Sequence, residues 1–287
     1  MLDMLAKPWH LSFANAHLIR RAKNLCWKHA RLRCRPYSDL ASFLQKRAAT
    51  APLWREAASL ILAVRASVPK MADDICQTPR QVFQHDYRVL MVKRSAQSSF
   101  MANAFVYPGG LCEKSDFSPD WWEVFERAGA TKDVVLRDLC NATRGDRPPM
   151  IAKPLTLASE NLDCDDHLPS DLACRVCAIR ETFEETGVLL LREKSPFGSV
   201  AKAQVLSEKY QINVAEWRRR LREDAAGFLA LCLNSKLCPD VWALHEWWDW
   251  LTPVSAGPKR YDTMFYVCCL DSEPDVVLDD GEVTVSK

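Results

Sequence analysis

Charge of one sign is what this sequence most lacks. Lysine and arginine number 38 against 37 aspartate and glutamate, a formal net charge of +1. So small a surplus excludes a whole-chain electrostatic hold on nucleic acid or on an acidic membrane surface. Long apolar runs are also missing, and none approaches the ~20 residues of a membrane-spanning helix. No segment repeats. The 12 cysteines lack a disulfide arrangement: most fall in apolar helix or strand patterns, and Cys268 and Cys269 are adjacent, as suits reduced thiols in an intracellular compartment. Cys174 and Cys177 form a C-x-x-C with no second pair at zinc-finger spacing, which argues against a zinc site. What is present is a chain of 287 residues, 48% of them hydrophobic, enough for a sizeable core in one large domain or two small ones.

Residues 1–53 stand apart. Up to Ser38 the basic residues from Lys7 to Arg35 face one acid, Asp3, the bias of a targeting or disordered basic extension. A mitochondrial transit segment and a weakly structured extension both fit it. From Trp54 the pattern becomes that of a domain. Residues 58–66 read as a buried strand and 87–93 as its neighbour, with a polar link between them. Phe105 to Tyr107 is a short strand ended by Pro108-Gly109-Gly110, where the glycines allow a sharp turn or a close backbone approach to a ligand.

The densest chemistry lies in Asp171–Leu191. Ser170 after Pro169 reads as an N-cap, Asp171 suits the positive end of the helix dipole, and Gly187 supplies the left-handed stop. The spacing predicts a helix over 171–186. At about 100° per residue, Leu172, Val176, Ile179 and Phe183 share one core-facing stripe, while Glu181, Glu184 and Glu185 centre on the opposite, exposed face. Cys174 and Cys177 project toward the glutamate side, as site floor or under a loop. Carboxylates at i, i+3 and i+4 are neighbours and repel, so a cation belongs among them. Hard oxygen ligands suit Mg²⁺ or Mn²⁺, with water and substrate phosphate completing the shell. The plain alternative is a solvated helix face.

Arg180 to Val188 reads R-E-x-x-E-E-x-G-V, and here the chain resembles the Nudix hydrolase superfamily. Leu90 to Ala96, then Tyr107-Pro108-Gly109-Gly110, is similar to the motif that precedes the Nudix box in coenzyme A diphosphatases, with Ser99 and Asn103 departing from its arginine and glycine. Asp116 stands where the box has a glutamate. Residues 117–170 then interrupt the pattern, a length that suggests a lid or specificity insertion; residues 120–125 read as a helix within it, and 144–169 as a Pro- and Asp-rich mobile stretch. With the tryptophan-rich segment around His245 and the strand over 261–270, the resemblance narrows to the peroxisomal acyl-coenzyme A diphosphatase branch and covers about residues 54–287.

The resemblance implies an α/β fold, the Nudix α/β/α sandwich with a mixed sheet and a long insertion before the catalytic helix. Relative to such a domain the chain reads as incomplete at its C-terminus: the strand at Val283–Val285 barely begins, and the helix that would follow it across the sheet is missing. The implied activity is metal-dependent hydrolysis of the diphosphate bond of coenzyme A or fatty acyl-coenzyme A, giving adenosine 3′,5′-bisphosphate and (acyl-)4′-phosphopantetheine. The residues alone support hydrolysis of some diphosphate-linked compound, so a hydrolase of another nucleotide diphosphate derivative, such as ADP-ribose or an RNA cap, and a truncated non-catalytic form stand as alternatives. Glu181, Glu184 and Glu185 are assigned to Mg²⁺ or Mn²⁺; Arg180, Glu184 and Glu185 to catalysis, with Arg180 fixing a carboxylate rotamer; and Arg94, Gly109 and Gly110 to substrate. Glu184 and Glu282 compete as general base. For Arg94 the plain reading is an arginine ending an exposed strand, and for His245 a polar strand residue. Trp242, Trp247, Trp248 and Trp250 read as core or as a platform for adenine or an acyl chain. Val214 to Leu233 is expected to be helical. The partner is a small molecule, with no specific nucleic acid, and the expected state is a monomer. By resemblance the location is the peroxisome, although Val285-Ser286-Lys287 is not a Ser-Lys-Leu signal; the mitochondrion is the rival.

Overall fold

The structure, a computed structural model, describes residues 54–65, 87–98, 101–142, 147–152, 167–193, 210–253, 259–277 and 283–286. The basic extension, the link over 66–86, Ser99, Glu282 and much of the Pro- and Asp-rich stretch lie outside them.

Two long strands form the spine. Strand β1 (Arg55–Arg65) pairs in parallel with β9 (Tyr261–Leu270), and β8 (His245–Leu251) adds antiparallel to β9. The free edge of β1 is shared by two short antiparallel strands, β2 (Tyr87–Val89) near its end and β5 (Gly109–Leu111) near its start. The sheet is therefore mixed, as expected. β1 is Ala/Leu/Ile/Val-rich and buried along most of its length, the composition of a strand covered on both faces.

The segment over 87–93 is not one strand. It breaks at Leu90-Met91, and β3 (Val92–Arg94) leaves for a second sheet with β4 (Phe105–Val106) and β10 (Val283–Ser286). Nor do the glycines only end a strand: Gly109 and Gly110 pair with Ser59 and Ala58. A small third sheet joins β6 (Leu191–Arg192) to β7 (Cys238–Pro239), so the strand expected from Val188 starts three residues later.

The front part of the insertion contributes to the core. α1 (Trp121–Arg127) and α2 (Lys132–Ala142) bury Trp121, Phe125, Val135 and Leu139. Trp121 lies 5.7 Å from Phe228 and Phe125 lies 5.9 Å from Trp242, ring to ring. A short helix α3 (Pro149–Ala152) follows. The helical stretch expected over 214–233 is two helices, α5 (Val214–Glu223) and α6 (Gly227–Ser235). Asp224 breaks them in an extended conformation.

Helix α4 (Ser170–Thr186) lies across the sheet face that carries Met264 and Tyr266. Its start differs by one residue from expectation: Pro169 is the cap, and Ser170 is a buried first-turn residue. Gly187 ends it at φ 74°, as expected. Phe265 alternates to the opposite face, where Tyr107 and Trp250 pack on its ring. Of the tryptophans in that region, Trp242 packs against the core while Trp248 and Trp250 are each 51% exposed. Among the described residues no helix is long and apolar enough to cross a membrane.

Candidate active site

Helix α4 is buried on nearly every side. Leu172, Val176, Ile179 and Phe183 form the predicted stripe and are fully buried, but so are Ala173, Cys174 and Cys177 on other faces. A two-sided amphipathic helix is thus not what is observed. Every residue of α4 is buried except Glu181, Glu184 and Glu185, which are partly buried. These three carboxylates are where the helix meets solvent.

The early turns are held by ion pairs. Arg175 Nε donates to Asp171 (2.8 Å) and its Nη2 to Glu246 (3.2 Å), while Arg147 from the insertion reaches both acids at 2.6 Å. Burial raises the Asp171 carboxyl, but the charges of Arg175 and Arg147 outweigh it and hold the group below its usual range. The Arg175 guanidinium also stacks 4.9 Å from the Tyr266 ring. Asp171 had a simpler reading as a dipole partner; its carboxylate belongs to this buried network, whose members are too far apart in sequence to be seen together there.

Arg180 is 2% exposed and fixes the geometry of the site. Its Nε and Nη2 donate to the two oxygens of Asp116, each at 2.9 Å, a bidentate pair. Nη2 also donates to Leu111 O, and Nη1 to Glu181 Oε1 at 2.8 Å, with Glu184 Oε2 at 3.7 Å. Burial works against this charge, yet Asp116 and Glu181 hold the guanidinium well above the ordinary arginine range. Asp116 further accepts from the Glu113 amide.

The glycines meet the acids directly. A Cβ on Gly110 would stand 2.4 Å from the carboxylate carbon of Glu181, so the space a side chain would fill is taken by that carboxylate. The Gly109 N–H donates to Glu185 Oε2 at 3.2 Å. Below them Cys177 is fully buried, its thiol donating to Leu111 O at 3.3 Å, which makes it floor beneath β5. Cys112 and Cys174 sulfurs are 3.9 Å apart, and both, like Cys177, are free thiols.

Glu181, Glu184 and Arg180 line a cavity of about 750 Å³ whose other walls include Glu56, Leu111, Lys114 and Arg222. Arg94 is not brought there: it sits on β3 in the second sheet and donates to Ser98 Oγ at 2.9 Å. Glu181 is engaged by Arg180 and Glu185 by a backbone amide, and among the described residues no three His, Cys, Asp or Glu side chains are gathered closely enough to grip a metal ion. The donor set still fits a hard divalent cation: three partly buried carboxylates on adjacent turns, beside glycine backbone with no side chain in the way.

A strand opening on two glycines, a helix carrying R-E-x-x-E-E beside it and a mixed sheet beneath define a Nudix domain. Residues 54–287 match the family described as NUDT19 Nudix domain, and the chain belongs to that family. It is 37% identical over 249 residues to the acyl-coenzyme A diphosphatase NUDT19 of Xenopus laevis, covering 83% of this chain and 62% of that one. With the protein of the same name from Gallus gallus it is 41% identical over 231 residues, 77% of this chain and 56% of that one. With that from Homo sapiens it is 37% identical over 238 residues, 80% and 60%. The chain thus spans about six tenths of the length of these relatives. A crystal structure of a NUDIX hydrolase from Alicyclobacillus acidocaldarius aligns with TM-score 0.48 at 20% identity, over 83% of this chain and 78% of that one.

Proposed function

We propose that the domain hydrolyses the diphosphate bond of coenzyme A or a fatty acyl-coenzyme A, releasing adenosine 3′,5′-bisphosphate and (acyl-)4′-phosphopantetheine. The observation that carries the reaction class is that Glu181, Glu184 and Glu185 alone break the burial of α4, beside the Gly109-Gly110 backbone. The relatives named acyl-coenzyme A diphosphatase support the substrate.

A diphosphate resists attack because its oxygens repel the incoming nucleophile. Glu181, Glu184 and Glu185 would hold Mg²⁺ or Mn²⁺, which would supply charge neutralisation and hydroxide near neutral pH. Arg180, tied to Asp116, keeps Glu181 against Gly110 and limits the repulsion among the acids. Gly109 and Gly110, without side chains, let β5 lie close against β1 and against the Glu181 carboxylate. Glu184, facing the cavity, is positioned to accept a proton from water; Glu282, its rival, lies outside the described residues. A monomer in the peroxisome completes the reading.

Incubating the protein with an acyl-coenzyme A and Mg²⁺, and in parallel with ADP-ribose, then identifying the products, tests it. Adenosine 3′,5′-bisphosphate from the first at much the higher rate is expected; equal turnover removes the coenzyme A assignment. Glu185→Gln is expected to lose Mg²⁺-dependent turnover by about 10²-fold or more with the fold kept, and a fully active variant overturns the metal assignment.

A further inference from the structure

We propose that Arg218 is a positioning residue for Glu184 and Glu185, an inference that rests on the metal role proposed for those acids. An α-helix leaves its last four carbonyls without partners inside the helix. In α4 each finds one from outside. The Gly187 amide donates to Phe183 O at 2.9 Å and the Val277 amide to Thr186 O at 2.9 Å. The two between them, Glu184 O and Glu185 O, are taken by Arg218: Nε donates to the first at 2.9 Å and Nη2 to the second at 3.0 Å.

The geometry points to a clamp. A guanidinium is a rigid planar fork, so bonding to consecutive carbonyls fixes two peptide units relative to each other. The side chains leaving those residues are two of the three candidate metal ligands. The cation also lies at the negative end of the helix dipole, where it offsets repulsion among the acids from behind. Arg218, Arg219 and Arg220 are consecutive on α5 but meet different surroundings. Arg218 is 5% exposed, whereas the Arg219 and Arg220 side chains are 52% and 51% exposed and pair with Glu216. α5 is itself anchored, because Asn213 Oδ1 accepts from the Glu216 amide at its start. Arg222 and Glu223, one turn further on, line the cavity. The clamp thus joins the cavity wall and the acid-bearing turn into one unit.

The test uses the full chain and Mn²⁺ alone, with binding read by electron paramagnetic resonance and folding by far-ultraviolet circular dichroism. Arg218→Met is expected to weaken Mn²⁺ binding by about tenfold or more, the usual effect of removing a group that orients a ligand, and to lower kcat more than it changes KM. Arg218→Lys keeps the charge but reaches one carbonyl, and is expected between Arg218→Met and the unaltered protein. Arg192→Met is the control: Arg192 is also buried, paired with Asp240 on β6 and away from the cavity lining. It is expected to lose stability and keep Mn²⁺ affinity. Unchanged affinity in Arg218→Met, or equal weakening in Arg192→Met, overturns the proposal. If Arg218→Met does not fold, unchanged affinity in Arg218→Lys does the same. No Mn²⁺ uptake by the unaltered protein sinks the metal reading and the clamp with it, and the wild-type titration tells that failure from failure of the clamp alone.

Discussion

Asp116 and Arg180 are 1% and 2% exposed, and a buried ion pair is worth little until one member is removed. A survivor left without compensation in a dry place costs about 3–5 kcal/mol, and Arg180, which keeps Glu181 as a partner, falls at the low end of that range. Asp116→Asn is therefore expected to lower the unfolding free energy by roughly 3 kcal/mol, read by urea titration at constant m. It is also expected to free the Glu181 carboxylate from its set position. Asp262 behaves in the opposite sense. It faces Glu56 across the β1–β9 pair, one Oδ1 is buried with no hydrogen-bond partner among the described residues, and burial, with the charges of Asp249 and Glu56, pushes its carboxyl up to about 7. The folded form then binds more protons than the unfolded form between its unfolded value of ~3.9 and about 7. The stability associated with this group is full below that lower value and is lost as pH rises toward the upper one. Asp262→Asn is expected to be more stable than the unaltered protein at pH 7, by on the order of 2–3 kcal/mol, and the gap is expected to close as pH falls toward 4. A gap that stays constant with pH contradicts the assignment.

At the scale of the element, the two glycines flanking the acids ask for glycine for different reasons. Gly187 sits at φ 74° with ordinary neighbours around a Cβ, so Gly187→Ala is expected to cost about 1 kcal/mol through backbone strain alone. Gly110 has no such backbone demand; its Cβ would strike the far end of the flexible Glu181 side chain. Gly110→Ala is therefore expected to keep its melting temperature within a few degrees and lose affinity for Mn²⁺, a contrast that parallel calorimetry checks. Gly187 and the acids were legible because R-E-x-x-E-E-x-G is short-range: acids at i, i+3 and i+4 share a face whatever lies around them, while Gly110 was legible from the Pro108-Gly109-Gly110 turn. The Asp116–Arg180 pair was half legible, an acid in a fitting place and an arginine expected to hold a carboxylate. Arg218 and Asp262 were not legible, since the first acts across 33 residues on backbone oxygens and the second matters through a neighbouring strand. Periodicity also misjudged α4 itself, because Asp171, Arg175 and Arg180 count as polar on a wheel but are buried once paired.

For the whole molecule, Trp121, Phe125 and Arg147 decide whether these pieces act together. Trp121 and Phe125 from the insertion pack on Phe228 and Trp242, and Arg147 joins Asp171 of α4 to Glu246 of β8. These residues, α4 and the sheet therefore share one core, and they are expected to unfold in one cooperative step. A cation held by Glu181, Glu184 and Glu185, as proposed, would bind only where the strand of Gly109–Gly110 and the last turn of α4 are both in place, and would stabilise that whole unit by mass action. At a Mn²⁺ concentration about 100 times its dissociation constant the gain is about 2.7 kcal/mol. Urea unfolding with and without Mn²⁺ is expected to show this shift in the unaltered protein and none in Glu181→Gln/Glu185→Gln. A shift that survives the double substitution puts the cation elsewhere, while separate transitions for tryptophan fluorescence and helix signal show that the insertion does not share the core.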